Sequence, residues 1–211
     1  MADASNDALS PVVVTGGCGF IGSHVVSNIL ENEPNAEVHV LDVKQHNQMA
    51  GATYHNCDIS CLSEVEAFFN QYKPKTIFHV ASPDPLNVKP ALFHRVNVVG
   101  SCNLLTAAKK SRTVQAFIYT SSSSVIHDNH SDMVHGDESW PVLKYPAQKR
   151  AYTLSKAEAE TNILAANRFD GDSSMLTASI RPATAFGERD YTAFGKIVAN
   201  VRQGKARMQS K

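Results

Sequence analysis

Short, unbroken apolar runs alternate along this chain with longer stretches whose apolar positions recur at intervals of three and four. Val12–Val14 is the first such run. It is β-branched throughout and follows Pro11, the pattern of a strand buried on both faces. Phe20, Ile21, Val25, Val26, Ile29 and Leu30 come next at helical spacing. The alternation continues to the end of the chain. Strands are predicted at Glu37–Leu41, Thr53–Asn56, Thr76–Val80, Val114–Tyr119 and Met175–Ile180. Helices are predicted at about Leu62–Tyr72, Ala91–Lys110, Lys149–Arg168 and Thr192–Gly204, with a polar loop from His127 to about Pro146. No hairpin signal joins one strand to the next, so each connection is a crossover. The expected fold class is α/β, a doubly wound parallel sheet of Rossmann type.

The junction between the first strand and the first helix is glycine-rich: Gly16-x-x-Gly19-x-x-Gly22, with Gly17 adding a second frame. Such a turn lets backbone approach a pyrophosphate, and the first helical N–H groups, at Phe20 and Ile21, point at it. Asp42 ends the second predicted strand 20 positions after Gly22, where a dinucleotide fold places the acid that holds the adenosine ribose. A carboxylate there repels a 2′-phosphate, so the expected cofactor is NAD rather than NADP; Lys44 weakens that preference a little. Asp58 opens Asp-Ile-Ser before a predicted helix, an N-cap context.

Composition narrows the picture mainly by exclusion. Lys plus Arg and Asp plus Glu both number 20, so no net field invites nucleic acid. The four cysteines show neither metal spacing nor a disulfide framework, as expected of a reducing compartment and a cytoplasmic protein. His127, His130 and His135 share no ligand spacing, so no metal is expected. No apolar run approaches a membrane span. Residues 1–10 read as a flexible polar segment and 11–211 as one domain.

Candidate chemistry lies further along. Tyr152 and Lys156 stand at i and i+4 on one face of a predicted helix. An ammonium near a phenol lowers its pKa from about 10, which would let Tyr152 move protons near neutrality. Ser121–Ser124 follow the strand ending at Tyr119, where parallel sheets place their ligands. Tyr145 and Lys149 repeat the same spacing, but Pro146 disfavours helix at that point. Tyr145 is therefore expected in the loop.

These features in this order resemble the extended short-chain dehydrogenase/reductase superfamily, and within it most of all the 3β-hydroxysteroid dehydrogenase and sterol-4α-carboxylate 3-dehydrogenase family. The matching residues run from Thr15-Gly16-x-x-Gly19-x-x-Gly22 through Asp42, Asp58-Ile59, Val80-Ala81-Ser82 and Val96-Asn97-Val98-x-Gly100. They continue through Phe117–Ser122, Tyr152-x-x-Ser155-Lys156-Ala157 and Arg181-Pro182-Ala183-x-x-Phe186-Gly187. The resemblance implies Ser122, Tyr152 and Lys156 as the catalytic trio, with Tyr152 the acid/base. It implies Asp42 for the adenosine ribose and Asp58 and Ile59 for adenine. Ala81 and Ser82 would meet the middle of the cofactor, Pro182 and Ala183 would border the nicotinamide, and Lys156 would also hold its ribose. Asn97 would be structural, its amide bonding backbone.

The implied activity is NAD-dependent interconversion of a secondary alcohol and a ketone, on a 3β-hydroxysteroid or sterol 4α-carboxylate. A nucleotide-sugar epimerase or dehydratase uses the same trio and is the alternative enzyme; a non-catalytic dinucleotide-binding protein is the alternative outside enzymes. The family continues past the Arg-Pro strand into a substrate lobe, and this chain ends at Lys211. The expectation is accordingly NAD binding, negligible turnover on sterol substrates, and a tendency to form homodimers or aggregate through exposed apolar surface and an unpaired sheet edge. Peripheral association with the endoplasmic reticulum is open.

Overall fold

A computed structural model describes residues 9–86, 89–171, 174–191 and 194–205. The N-terminal segment before Leu9, the first two positions of the last predicted helix and the final six residues lie outside them. Six strands form one parallel sheet in the order β3-β2-β1-β4-β5-β6. They are β1 (Val12–Thr15), β2 (Val38–Asp42), β3 (Ala52–Asn56), β4 (Thr76–His79), β5 (Ala116–Thr120) and β6 (Leu176–Ile180). Each agrees with its predicted strand to within two residues. The chain leaves β1 to build one half of the sheet through β2 and β3, then returns to β4 to build the other. The direction reverses between β1 and β4, and a crevice opens there at the carboxyl ends of the strands.

Apolar matching holds the layers together. Val14, Val26, Val38 and Val40 pack one face of the sheet beneath α1 (Phe20–Asn32). On the other face Val13, Ile77, Phe117 and Tyr119 meet α2 (Leu62–Tyr72) and its neighbours through Phe69, Leu104 and Ile163. The predicted helix over 91–110 is present but is not uniform. α3 (Pro90–Phe93) runs through a π-helical segment, His94–Val99, into α4 (Gly100–Ser111), all with right-handed dihedrals at the joins. A π turn holds one residue more than an α turn and is favoured at functional sites; here it carries Asn97. Periodicity in sequence does not report a single inserted residue.

The remaining elements are a 3₁₀ turn, Ser123–Ile126, then α5 (Ala151–Ala165) and α6 (Phe194–Arg202). β6 is an edge strand whose Leu176 and Ile180 are exposed. No described helix is long and apolar enough to cross a membrane.

Candidate active site

Every strand brings a singled-out residue to the carboxyl edge of the sheet, at its last residue or within two residues beyond it. Gly16 follows β1, Asp42 ends β2, Asp58 follows β3, Ala81 follows β4, Ser122 follows β5 and Pro182 follows β6. The glycine turn is as tight as its composition requires. Gly16 has φ +70°, and a Cβ there would sit 2.6 Å from the Ala81 Cα. A Cβ on Gly22 would run into the Gly16 carbonyl, so the helix start and the turn are in backbone contact. Gly19 caps α1 with no side-chain bond, so no side chain caps the first-turn N–H groups, those of Phe20 and Ile21 among them.

Asp42 ties this turn to β2. Its Oδ2 accepts the Cys18 N–H at 3.1 Å and its Oδ1 accepts the Lys44 N–H at 3.0 Å. A carboxylate offers about four acceptor positions, so two remain for a pair of ribose hydroxyls. Cys18 is fully buried in the turn, as a small filler would be. Asp58 builds a turn of its own, accepting both the N–H and the hydroxyl of Ser60, while Cys61 occupies the cap position of α2. Burial pushes its pKa up, but the Ser60 bonds and the nearby Arg95 outweigh this and hold it below the usual carboxylate range. Ile59 is buried with its side chain against Gly100, and its carbonyl accepts from Asn103. Adenine recognition by this residue would therefore rest on backbone. Ser82 is exposed, its hydroxyl donating to the Pro83 carbonyl. Pro182 is half-buried and its carbonyl accepts the Ser123 N–H, tying β6 to the serine turn; Ala183 is exposed.

Ser122 and Tyr152 come together. Ser122, extended at φ −159°, caps the 3₁₀ turn, and its hydroxyl lies near enough to the Tyr152 phenol to favour the phenolate. The Phe93 ring stands edge-on to Tyr152 at 5.5 Å. The other candidate tyrosine, Tyr145, is 73% exposed in the loop and takes no part.

Lys156 behaves differently from the expectation that its charge would lower the phenol pKa. Its side chain is fully buried, Nζ donates to the Thr120 carbonyl at 2.8 Å, and the amine lies 4.9 Å from the Tyr119 ring centroid. Burial lowers its pKa to about 7. The Tyr152 phenol is accordingly raised above its ordinary value, because burial outweighs the Ser122 bond. A lysine titrating near 10.4 when unfolded and near 7 when folded binds its proton preferentially in the unfolded chain between those pH values. Its burial therefore costs stability in full below about pH 7, and that cost fades as pH rises towards about 10.4. Lys156→Met should raise the melting temperature at pH 7 and flatten the rise in stability between pH 7 and 10. Melting curves across that range check this; an unchanged slope would refute it.

Asn97 does not bond backbone through its amide. Its Nδ2 donates to the Ser155 hydroxyl at 2.9 Å, and Ser155 donates to the Tyr152 carbonyl at 2.7 Å, which pins the first turn of α5. Behind Asn97 runs a buried chain that sequence reading missed. The Ala81 N–H donates to Thr15 Oγ1; Thr15 meets His79 Nδ1 at 2.7 Å; His79 Nε2 meets Ser101 Oγ at 2.8 Å; Ser101 donates to the Asn97 carbonyl. Because the Ser101 proton is spent on that carbonyl, Nε2 must carry the imidazole hydrogen and Nδ1 must accept from Thr15. Burial, helped by Lys156, drives the His79 pKa down to about 3, so the ring is neutral. The one signal in sequence was a histidine inside an apolar strand buried on both faces. A second missed pair is Glu160 with Arg181, whose Nε and Nη2 both reach Oε1 at 3.0 and 2.7 Å; it joins α5 to the residue before Pro182.

The comparisons agree with this fold. A sterol-4-alpha-carboxylate 3-dehydrogenase (decarboxylating) of Saccharomyces cerevisiae is 31% identical over 212 residues, covering 96% of this chain and 58% of its own length. The enzyme of the same name from Bos taurus is 33% identical over 192 residues, with 91% of this chain and 51% of its own length covered. The chain thus spans somewhat over half of these curated relatives. Among solved structures, a Thermus thermophilus UDP-glucose 4-epimerase in complex with NAD is 28% identical, with a TM-score of 0.70 over 84% of this chain and 58% of its own. A UDP-galactose 4-epimerase is 26% identical, with a TM-score of 0.76 over 92% and 63%. The model of the 3-beta hydroxysteroid dehydrogenase/isomerase family matches residues 13–211, nearly the whole chain, and the chain belongs to that family.

Proposed function

We propose that this chain is the cofactor-binding and proton-transferring part of an NAD-dependent oxidoreductase that interconverts a secondary alcohol and a ketone. The observation that carries the reading is that Ser122, just beyond the carboxyl end of β5, lies near enough to Tyr152 at the start of α5 to favour its phenolate. The same residues fit NAD. Gly16 and Gly22 let the turn close against Ala81 and against itself where any Cβ would clash, the start of α1 would offer its N–H groups to a pyrophosphate, and Asp42 keeps acceptors for ribose hydroxyls. Ala81, Ser82, Pro182 and Ala183 would border the central and nicotinamide portions, with Asp58 and Ile59 at the adenine end. Bound NAD would supply the hydride acceptor.

The chain's own residues handle the proton. In the oxidising direction Tyr152 would act as the phenolate, taking the proton from the substrate hydroxyl to become the phenol, while Ser122 donates a hydrogen bond to the same oxygen. Lys156, one helical turn on, is the group to hold the nicotinamide ribose. The names of the curated relatives support a sterol 4α-carboxylate as substrate. A 3-ketone formed beside that carboxylate would lose carbon dioxide readily. The four free cysteines support a reducing compartment such as the cytoplasm.

Calorimetric titration of NAD and NADP tests the cofactor assignment, with NAD expected to bind more tightly. Asp42→Ala should weaken NAD by about 1–3 kcal/mol, through the lost ribose bonds and a loosened Cys18 turn. Equal or tighter NADP binding to the unmodified chain would overturn it. NADH formation with a 3β-hydroxysterol 4α-carboxylate, against exchange of UDP-glucose with UDP-galactose, separates the dehydrogenase from the epimerase that the solved neighbours represent.

A further inference from the structure

The hydroxyl of Ser122 is surrounded on its acceptor side by one neighbouring residue. Ser124 donates to Ser122 Oγ twice, from its backbone N–H at 3.2 Å and from its own Oγ at 2.9 Å. Ser124 Oγ in turn accepts from Thr153 Oγ1 at 3.3 Å. Thr153 is buried at the start of α5, directly after Tyr152. A relay of hydroxyls therefore runs from Ser122 through Ser124 in the 3₁₀ turn to Thr153 in the first turn of α5.

The count of lone pairs gives this relay a direction. A serine oxygen has two acceptor positions and one proton. Both acceptor positions of Ser122 are filled by Ser124, so the only bond left for Ser122 to make is as a donor. We propose that Ser124, with Thr153 behind it, is a positioning residue that commits Ser122 to donating its proton towards the Tyr152 phenol and the substrate oxygen. This rests on the proposed catalytic pairing of Ser122 with Tyr152 and adds to it the residues that decide which way Ser122 acts.

The chemical consequence is a division of labour between two hydroxyls that are otherwise alike. Were the Ser122 oxygen free to accept, a substrate alcohol could aim its proton at Ser122 as readily as at Tyr152. With its lone pairs occupied, Ser122 offers only O–H, and the alcohol proton has Tyr152 as its one acceptor. The same arrangement favours an anionic oxygen, because hydrogen bonds in series polarise one another and strengthen the last donor. Other groups face the phenol without filling this role. Phe93 presents a ring edge, Tyr119 only adds a neighbouring phenol, and Lys156 is held on the Thr120 carbonyl. Ser123 sits between the two serines in sequence and has no part in the relay, which makes it the control.

The test reads the phenol itself and needs no turnover. The chain is prepared with fluorotyrosine in place of its six tyrosines, which lowers phenol pKa values into a range the fold tolerates. The Tyr152 signal is assigned by its absence in Tyr152→Phe and titrated by fluorine NMR. Ser122→Ala should raise its pKa most. Ser124→Ala should raise it by about 0.3–1 pH unit, and Thr153→Val by less, as the polarising bonds are removed in turn. Ser124→Thr, which keeps the hydroxyl, should restore the unmodified value, and Ser123→Ala should leave it unmoved. A local packing defect at Ser124 would not be rescued by the bulkier threonine, so the two variants together separate positioning from folding. The proposal is overturned if Ser122→Ala moves the phenol and Ser124→Ala does not. If neither moves it, the pairing of Ser122 with Tyr152 has itself failed, and the inference falls with it.

Discussion

Replacing Tyr152 with phenylalanine should reduce hydride transfer by at least about 100-fold, with NAD affinity almost unchanged. The measurement belongs in a form of the protein that turns over a 3β-hydroxysterol, with calorimetric NAD titration run beside it. The size of the effect follows from what the substitution removes. In the proposed function the phenol is the group that exchanges a proton with the substrate oxygen, and Ser122, whose oxygen accepts twice from Ser124, would act as a donor only. The ring, its edge contact with Phe93 and the first turn of α5 all survive the change. Tyr145→Phe, on an exposed loop, should do far less. If the loop substitution proves the more damaging one, the acid/base has been assigned to the wrong tyrosine.

Truncating Glu160 to alanine should destabilise the fold by about 3–5 kcal/mol, the range for removing one partner of a buried ion pair. Glu160 is 1% exposed and Arg181 13% exposed at their side chains. The attraction in such a pair only offsets the cost of taking both charges out of water, so the loss comes from the guanidinium left behind without an anion. Glu160→Ala together with Arg181→Leu should therefore recover much of the stability that the single change loses. Denaturant unfolding of the two single variants and the double variant supplies the coupling energy. A double variant no more stable than Glu160→Ala would show that the pair is not a self-contained unit.

The two pairs differ in how they could have been seen beforehand. Tyr152 and Lys156 stand four apart on one helix, and the glycine turn stands between a strand and a helix, so their spacing is visible in the chain itself. Asp42 was legible for the same reason, as the last residue of an apolar strand. The Glu160–Arg181 bond, by contrast, joins residues on different elements, and the His79 bonds span 64 and 22 positions. No periodic pattern encodes contacts of that kind; they arise from parallel strands laid side by side. The tether of Lys156 to the Thr120 carbonyl depends likewise on where β5 ends beneath α5. Its burial is why the amine departs from the simple picture of a charge beside a phenol. The π segment escaped for another reason, since one extra residue in a turn leaves an apolar face almost where a regular helix would put it.

The one-way chain from Ala81 through Thr15, His79 and Ser101 to Asn97 also constrains how this protein can diverge. Each link gives one proton and receives one, so changing any single side chain strands a donor on one side and an acceptor on the other. Each orphan costs about 1–3 kcal/mol in a buried setting. Against a total stability of about 5–15 kcal/mol, two orphans at once leave little margin. Substitution is therefore tolerated in sets rather than singly: an apolar replacement of His79 becomes accessible only once Thr15 and Ser101 no longer present groups that need it. Such a chain acts as a ratchet on sequence drift, easy to keep and hard to leave by single steps. A library varying Thr15, His79 and Ser101 together should return folded solutions that no path of individually stable single substitutions connects to this sequence.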